Sequence, residues 1–138
     1  MNPTMQQYRQ QVVQTATPAQ LLLMLYDGAI RFTKQAIVAT KEKRIQEAHE
    51  ANLRVQDIVR EWMVTLDPSY PIAQNLMALY DYFLHLLIQA NVKKDAAPLE
   101  ELLGYLEELR DAWAKRPSRW RGRWPWPRAA RSDERRRS

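Results

Sequence analysis

The chain has 138 residues, no cysteine, only three glycines, 46% hydrophobic content and a formal net charge of +5. That length suits one domain with a real core, and the missing cysteines exclude disulfides, thiolate catalysis and Cys-ligated metals. The charge is uneven: residues 1–116 carry 13 Lys+Arg against 14 Asp+Glu, whereas residues 117–138 carry 8 Arg against 2 acids, so the basic character belongs to the C-terminal end.

Residues 1–14 are polar except for a few positions such as Met5, Tyr8, Val12 and Val13, and they suit a loosely held arm. They lack the apolar block of a signal peptide, and no run approaches the ~18–20 apolar residues of a membrane span. A cytoplasmic protein without stable membrane insertion is expected. From residue 15 the composition changes. Thr17 offers a side-chain oxygen to orphan helix N–H groups, and Pro18 suits a first helical position, so a helix is predicted from there to about Lys41 or Glu42. Leu21, Leu25, Phe32 and Ala36 line one of its faces with Gly28 and Ala29 between them; Leu23, Tyr26, Ile30 and Ile37 line a second. Two apolar faces have two readings, a helix buried on several sides by its own bundle or a groove open to another chain. Gly28 costs roughly 1 kcal/mol against Ala in mid-helix, which points to a close helix approach.

A second helix is predicted from Lys43–Ile45, with Ile45, Ala48, Asn52, Val55, Val59, Trp62 and Leu66 in one row whose single polar member is Asn52. The two prolines of Asp67-Pro68-Ser69-Tyr70-Pro71 end it. The third runs from Pro71 to about Val92, with Ile72, Leu76, Leu79, Phe83, Leu86 and Ala90 on one face and Ala73, Met77, Tyr80, Leu84 and Leu87 on the next. The fourth opens near Pro98 and carries Leu99, Leu102, Leu106, Leu109 and Trp113 to Lys115. Short connections between four such segments predict an all-α, antiparallel up-and-down four-helix bundle over residues 15–116.

Reactive groups are sparse. His49 has Gln46 where a di-iron Glu-x-x-His pair needs a glutamate, and His85, one turn after Asp81, has no second ligand nearby, so both histidines read as surface or edge residues and no metal or cofactor is expected. There is no glycine-rich phosphate loop.

Three blocks in order carry a family resemblance. They are Tyr8 with Thr15-Ala16-Thr17-Pro18, Leu21 and Met24-Leu25-Tyr26-Asp27-Gly28-Ala29; then Leu79-Tyr80-Asp81-Tyr82, Leu87, Ala90-Asn91 and Asp95; then Arg110-Asp111-Ala112-Trp113. Over about residues 2–116 the chain resembles the flagellin export chaperones. The resemblance implies a four-helix bundle without enzymatic activity that receives the C-terminal segment of flagellin, disordered when free, in its apolar grooves. It also implies that masking this segment prevents premature polymerisation and that the complex is delivered to the export gate of the flagellar type III apparatus, with other flagellar or regulatory proteins as further candidate partners.

On that basis Ile30, Met77, Tyr80, Leu84 and Leu87 are expected to contribute to the flagellin-binding groove, because they lie on the second apolar faces. Tyr8 and Val12 are expected to form a displaceable lid or a docking element for the gate. Thr4 after Asn2-Pro3 departs from the family, where a tyrosine is frequent.

Residues 117–138 are the larger departure. They hold three of the five tryptophans, three prolines and one glycine, without helical period, which predicts disorder. No nucleic-acid partner is expected, but the alternative function for the chain is a cationic tail that binds nucleic acid or an anionic membrane surface. A solvated appendage and an out-of-frame terminus are the competing readings of this segment.

Overall fold

The computed structural model describes residues 17–115, which form α1 (Pro18–Lys41), α2 (Ile45–Thr65), α3 (Ile72–Lys93) and α4 (Ala97–Ala114). The predicted arm at 1–14 and the tail at 117–138 lie outside the described residues.

α1 begins where Thr17 and Pro18 predict, and the start is stronger than those two residues alone suggest. The Thr17 hydroxyl oxygen accepts from the Gln20 N–H at 3.1 Å, while the Gln20 side-chain oxygen accepts from the Thr17 N–H at 3.0 Å. This reciprocal capping box pairs two backbone N–H groups at the helix start. At their far ends α1 and α3 turn through left-handed residues, Lys43 (φ 61°) and Lys94 (φ 53°). Returning bonds from Arg44 N–H to Ala39 O (2.8 Å) and from Asp95 N–H to Ala90 O (3.2 Å) close the last turns. Between α2 and α3, the buried Asp67 carboxylate accepts from the N–H and hydroxyl of Ser69 at 3.0 and 2.7 Å, which locks the proline-rich turn.

Each helix packs against two neighbours, and α1 packs on α4 to close the ring. With loops this short the order of neighbours makes the bundle antiparallel and up-and-down. Lys41 at the end of α1 meets Glu100 at the start of α4, and Asp27 near the start of α1 meets Arg110 near the end of α4.

Which residues fill the centre differs from the rows drawn by pattern. On α1 the core row is Leu22, Tyr26, Ala29, Thr33 and Ala36, with Ile37 beside it. It runs between the two predicted faces, and Leu25, Phe32, Leu23 and Ile30 flank it half-buried. On α3 the row is Ala73, Leu76, Tyr80, Phe83, Leu87 and Ala90, which takes members of both predicted faces. The spacing of three and four residues is satisfied by several adjacent rows, and neighbouring helices select one. On α2 the row holds from Asn52 to Leu66, but Ile45 at its start is 54% exposed.

Two polar groups in the core are internally satisfied. Thr33 donates to Ala29 O at 2.7 Å within its own helix. Asn52 donates to Leu87 O at 2.9 Å across to α3 and accepts from Gln56 at 2.7 Å, so the single polar residue of the α2 row ties two helices together.

One aromatic from each helix meets towards the other end. Tyr26 stacks on Trp62 with ring centroids 4.2 Å apart, Trp62 reaches Tyr80 at 5.3 Å, the Tyr26 and Tyr80 hydroxyls lie 3.1 Å apart, and Trp113 Nε1 donates to the Tyr26 hydroxyl at 3.3 Å. Burial pushes the Tyr26 phenol up to about 12, against weaker opposing hydrogen bonds from Tyr80 and Trp113. Burial likewise raises Tyr80 well above its ordinary value, reinforced by Tyr26.

Gly28 does not serve the crossing that its position suggests. A methyl group built there would stand 3.7 Å from Ile58 Cδ1, an ordinary contact. Gly28→Ala is therefore expected to stabilise the bundle by about 1 kcal/mol, read as a higher urea midpoint with an unchanged slope.

The aromatic junction sets an alkaline limit. A buried phenol favours its neutral form, so the stability contributed by Tyr26 is complete below pH 10 and is lost as the pH rises toward 12. The shift corresponds to roughly 3 kcal/mol. Denaturation midpoints measured from pH 8 to pH 12 are expected to fall more steeply for the native chain than for Tyr26→Phe, which costs about 1 kcal/mol at neutral pH through its lost hydrogen bonds.

Candidate partner-binding surface

Once the core rows are removed, the remaining apolar residues lie outside them at the wrong helical phase for the interior. Val38, Leu53 and Ile88 are 46%, 41% and 47% exposed. Over the outer side of α1 and α2 lies a broad open hollow of about 1160 Å³. Its apolar lining comes from Ile30, Phe32, Val38 and Leu53, and its polar lining includes Asp27, Arg31, Lys34, Glu47, Arg54 and Asp57. Charges of both signs around apolar anchors suit the face of an amphipathic helix rather than a polyanion.

A second apolar strip follows the seam of α2 and α3. Met77, Leu84 and Asn91 are seven residues apart on α3, and Asn91 Oδ1 lies 3.2 Å from His49 Nδ1 of α2, which fixes this side of α3 toward α2. Met77 and Leu84 are half-buried against the core, as is Met63 of α2. At the α1–α2 and α3–α4 loop end, a smaller recess of about 290 Å³ is lined by Thr40, Lys43, Ile45, Ala48, Asn52, Ala90, Asn91, Lys94 and Leu99.

The five residues expected in the groove therefore separate. Ile30 borders the α1–α2 hollow, and Met77 and Leu84 lie in the α2–α3 seam. Tyr80 and Leu87 are fully buried and correct the expectation: they belong to the α3 core row, and a partner resting on the closed bundle does not reach them. Tyr8 and Val12 lie outside the described residues. Val38, Leu53 and Ile88 were not anticipated, although each is an apolar residue out of phase with its core row, which is the signal that marks an outward position.

The motif positions divide in the same way. Tyr26 and Trp113 are core members of the aromatic junction. Asp27 accepts from Arg110 Nε at 2.8 Å and Nη2 at 3.5 Å, joining the outer edges of α1 and α4. That pair is solvent-exposed, and it orients more than it stabilises. Met24, Asp81 and Tyr82 are exposed, Gly28 is half-exposed, and Asn91 holds His49. Asp81 and His85, one turn apart, share no hydrogen bond among those of the described residues; His85 lies over Tyr82 with ring centroids 6.2 Å apart. No group of three His, Cys, Asp or Glu side chains among the described residues could hold a metal ion, and none of their helices is long and apolar enough to cross a membrane.

Comparison of the sequence with known proteins identifies its family. Residues 1–119 match the family model described as flagellar protein FliS. The flagellar secretion chaperone FliS of Bacillus subtilis (strain 168) is 38% identical over 106 residues, covering 77% of this chain and 80% of the relative. The protein of the same name from Salmonella typhimurium is 33% identical over 104 residues, 73% of this chain and 77% of the relative. The flagellar secretion chaperone FliSB of Pseudomonas aeruginosa is 28% identical over 115 residues, 79% and 91% of the two chains. The family-model match over residues 1–119, which takes in every described residue, and the 38% identical relative that covers 77% of this chain place it in the FliS family of flagellar proteins.

Proposed function

We infer that this protein is a cytoplasmic flagellar export chaperone that seats the C-terminal segment of flagellin on its outer grooves, prevents its premature polymerisation and brings it to the type III export gate. The observation that carries this reading is the apolar surface left over when the core is complete: the α1–α2 hollow and the α2–α3 seam, in a chain of the FliS family. The protein acts by covering its client, with no turnover.

The energetics favour a client that wraps. Each apolar anchor buried contributes ~1.5–3 kcal/mol, while each residue ordered from a disordered state costs ~1–2 kcal/mol. A single short contact is a poor exchange. A segment that forms helices in more than one groove adds its own backbone hydrogen bonds and several anchors, which is how coupled folding and binding becomes favourable. Ile30, Met77 and Leu84 are the anchoring positions, with Val38, Leu53 and Ile88 extending the surface.

Titration with a synthetic flagellin C-terminal peptide is expected to increase total helicity beyond the sum of the components. Absence of any gain together with absence of heat in calorimetry rejects the reading. Leu84→Asp is expected to keep the helical spectrum and weaken binding about tenfold or more, which is 1.4 kcal/mol or more. A well-folded Leu84→Asp protein with native affinity removes that residue from the surface. A chain ending at Arg116 is expected to bind the peptide as the full chain does; loss of binding there favours the tail-centred alternative.

The arm supplies a separate expectation. Deleting residues 1–14 should leave the denaturation midpoint of the bundle in place and reduce delivery of flagellin to the gate. A molten bundle after deletion would show that the arm is part of the fold instead.

A further inference from the structure

The α3–α4 face lies across the ring from the α1–α2 hollow and has a different chemistry. Tyr82 and Tyr105 are 40% and 36% exposed, with their rings edge-on at 6.2 Å. Phe83 stacks against Tyr105 at 6.0 Å and holds that ring in place. The Tyr82 hydroxyl donates to Glu101 Oε2 at 2.5 Å. Glu101, Tyr105 and Glu108 follow one another at four and three residues along α4, so two carboxylates and an aromatic ring share one stripe. The negative field there holds the Tyr105 phenol above its usual range, through Glu101 first, then partial burial, and Glu108.

The charge of this face is not neutralised within the bundle. α4 contains Glu100, Glu101, Glu107, Glu108 and Asp111 against a single Arg110, which is turned to Asp27 of α1. Lys41 of α1 pairs with Glu100, and among the described residues no cation pairs with Glu101 or Glu108. The chain that follows α4 has the opposite composition: residues 119–128, RWRGRWPWPR, hold four arginines, three tryptophans and no acid.

We propose that the exposed aromatic face of Tyr82 and Tyr105 is a docking surface for the chain's own segment 119–128. Guanidinium groups stack on exposed tyrosine rings and pair with carboxylates in bidentate fashion, and both partners are present in this stripe. The reach is sufficient. Along α4, Lys115 is about 15 Å from Tyr105 and about 21 Å from Glu101, whereas ten to thirteen residues of extended chain span up to ~33–47 Å. Tethering also keeps the segment at an effective concentration in the millimolar range, so a weak contact is populated. Docked there, the cationic tryptophan segment covers the side of the bundle away from the hollow and leaves the hollow open.

The chain has no native cysteine, so Ser132→Cys gives one attachment point for a nitroxide on the full-length protein. Paramagnetic broadening of amide signals is expected around Tyr82, Tyr105 and Glu108, and little of it on the outer side of α1 and α2. Raising the salt from about 0.1 M to about 1 M shortens the Debye length from ~10 Å to ~3 Å, and the broadening should recede with it. In the same labelled chain Glu101→Gln with Glu108→Gln should reduce the broadening by at least about half, while the helical spectrum stays native. Uniform broadening, broadening centred on α1–α2, or a pattern indifferent to both the salt and the two substitutions overturns the proposal. So does equal broadening when labelled chains are mixed with unlabelled isotopically enriched ones, because the occupant is then a second copy's tail or a free association.

Discussion

Tyr26, Trp62, Tyr80 and Trp113, one residue from each helix, meet in a single buried junction, and the register of the bundle depends on it. Stacked rings give a large apolar contact, but their hydroxyl and indole groups require partners in the interior. Trp113 Nε1 finds the Tyr26 oxygen, which lies beside the Tyr80 oxygen. Sliding α1, α3 or α4 by one turn would separate these groups and leave polar atoms buried without compensation, and sliding α2 would unstack Trp62 from Tyr26. Toward the opposite end Asn52 performs a related task, since its amide bonds to Leu87 O only when α2 and α3 stand in one alignment. The two polar fastenings define a unique packing that apolar side chains alone would specify less sharply.

A core that is complete and in register has a consequence for the surface. Apolar residues that do not fit the interior phase remain outside, and some of them line the α1–α2 hollow and the α2–α3 seam. They sit on a closed framework, so this side of the bundle presents a surface that is already ordered. The α3–α4 side differs in kind, with exposed tyrosines and carboxylates in place of aliphatic anchors, and so it attracts a different occupant.

Much of this was legible locally. The helix spans, the Thr17-Pro18 start, the proline-rich turn before α3 and the row on α4 follow from capping chemistry and the 3.6-residue period, which act within a few residues. The Gln20 half of the capping box was equally readable, since Thr17-Pro18-Ala19-Gln20 has the required spacing. What misled was the choice between adjacent rows. Tyr80 and Leu87 fall on the second face of α3, which pattern alone offers to a groove, but the core row passes between the two faces and includes both. For Tyr26 the pattern leaves core and groove open, and the packed structure places it in the core. The mid-helix position of Gly28 suggests a crossing point, and only the position of Ile58 on another helix shows that a methyl group fits.

The sequence by itself determined that the described residues form an all-α bundle of four helices, where those helices begin and end, and which family its motif blocks resemble. These properties rest on residue identity and near-neighbour spacing. Only the tertiary structure decided which apolar residues turn inward, which two grooves keep the surplus, and how four aromatic residues far apart in the chain come to share one junction. A helix with several equivalent apolar rows can rotate about its axis at little local cost, and its final rotation is set by the neighbours it packs against.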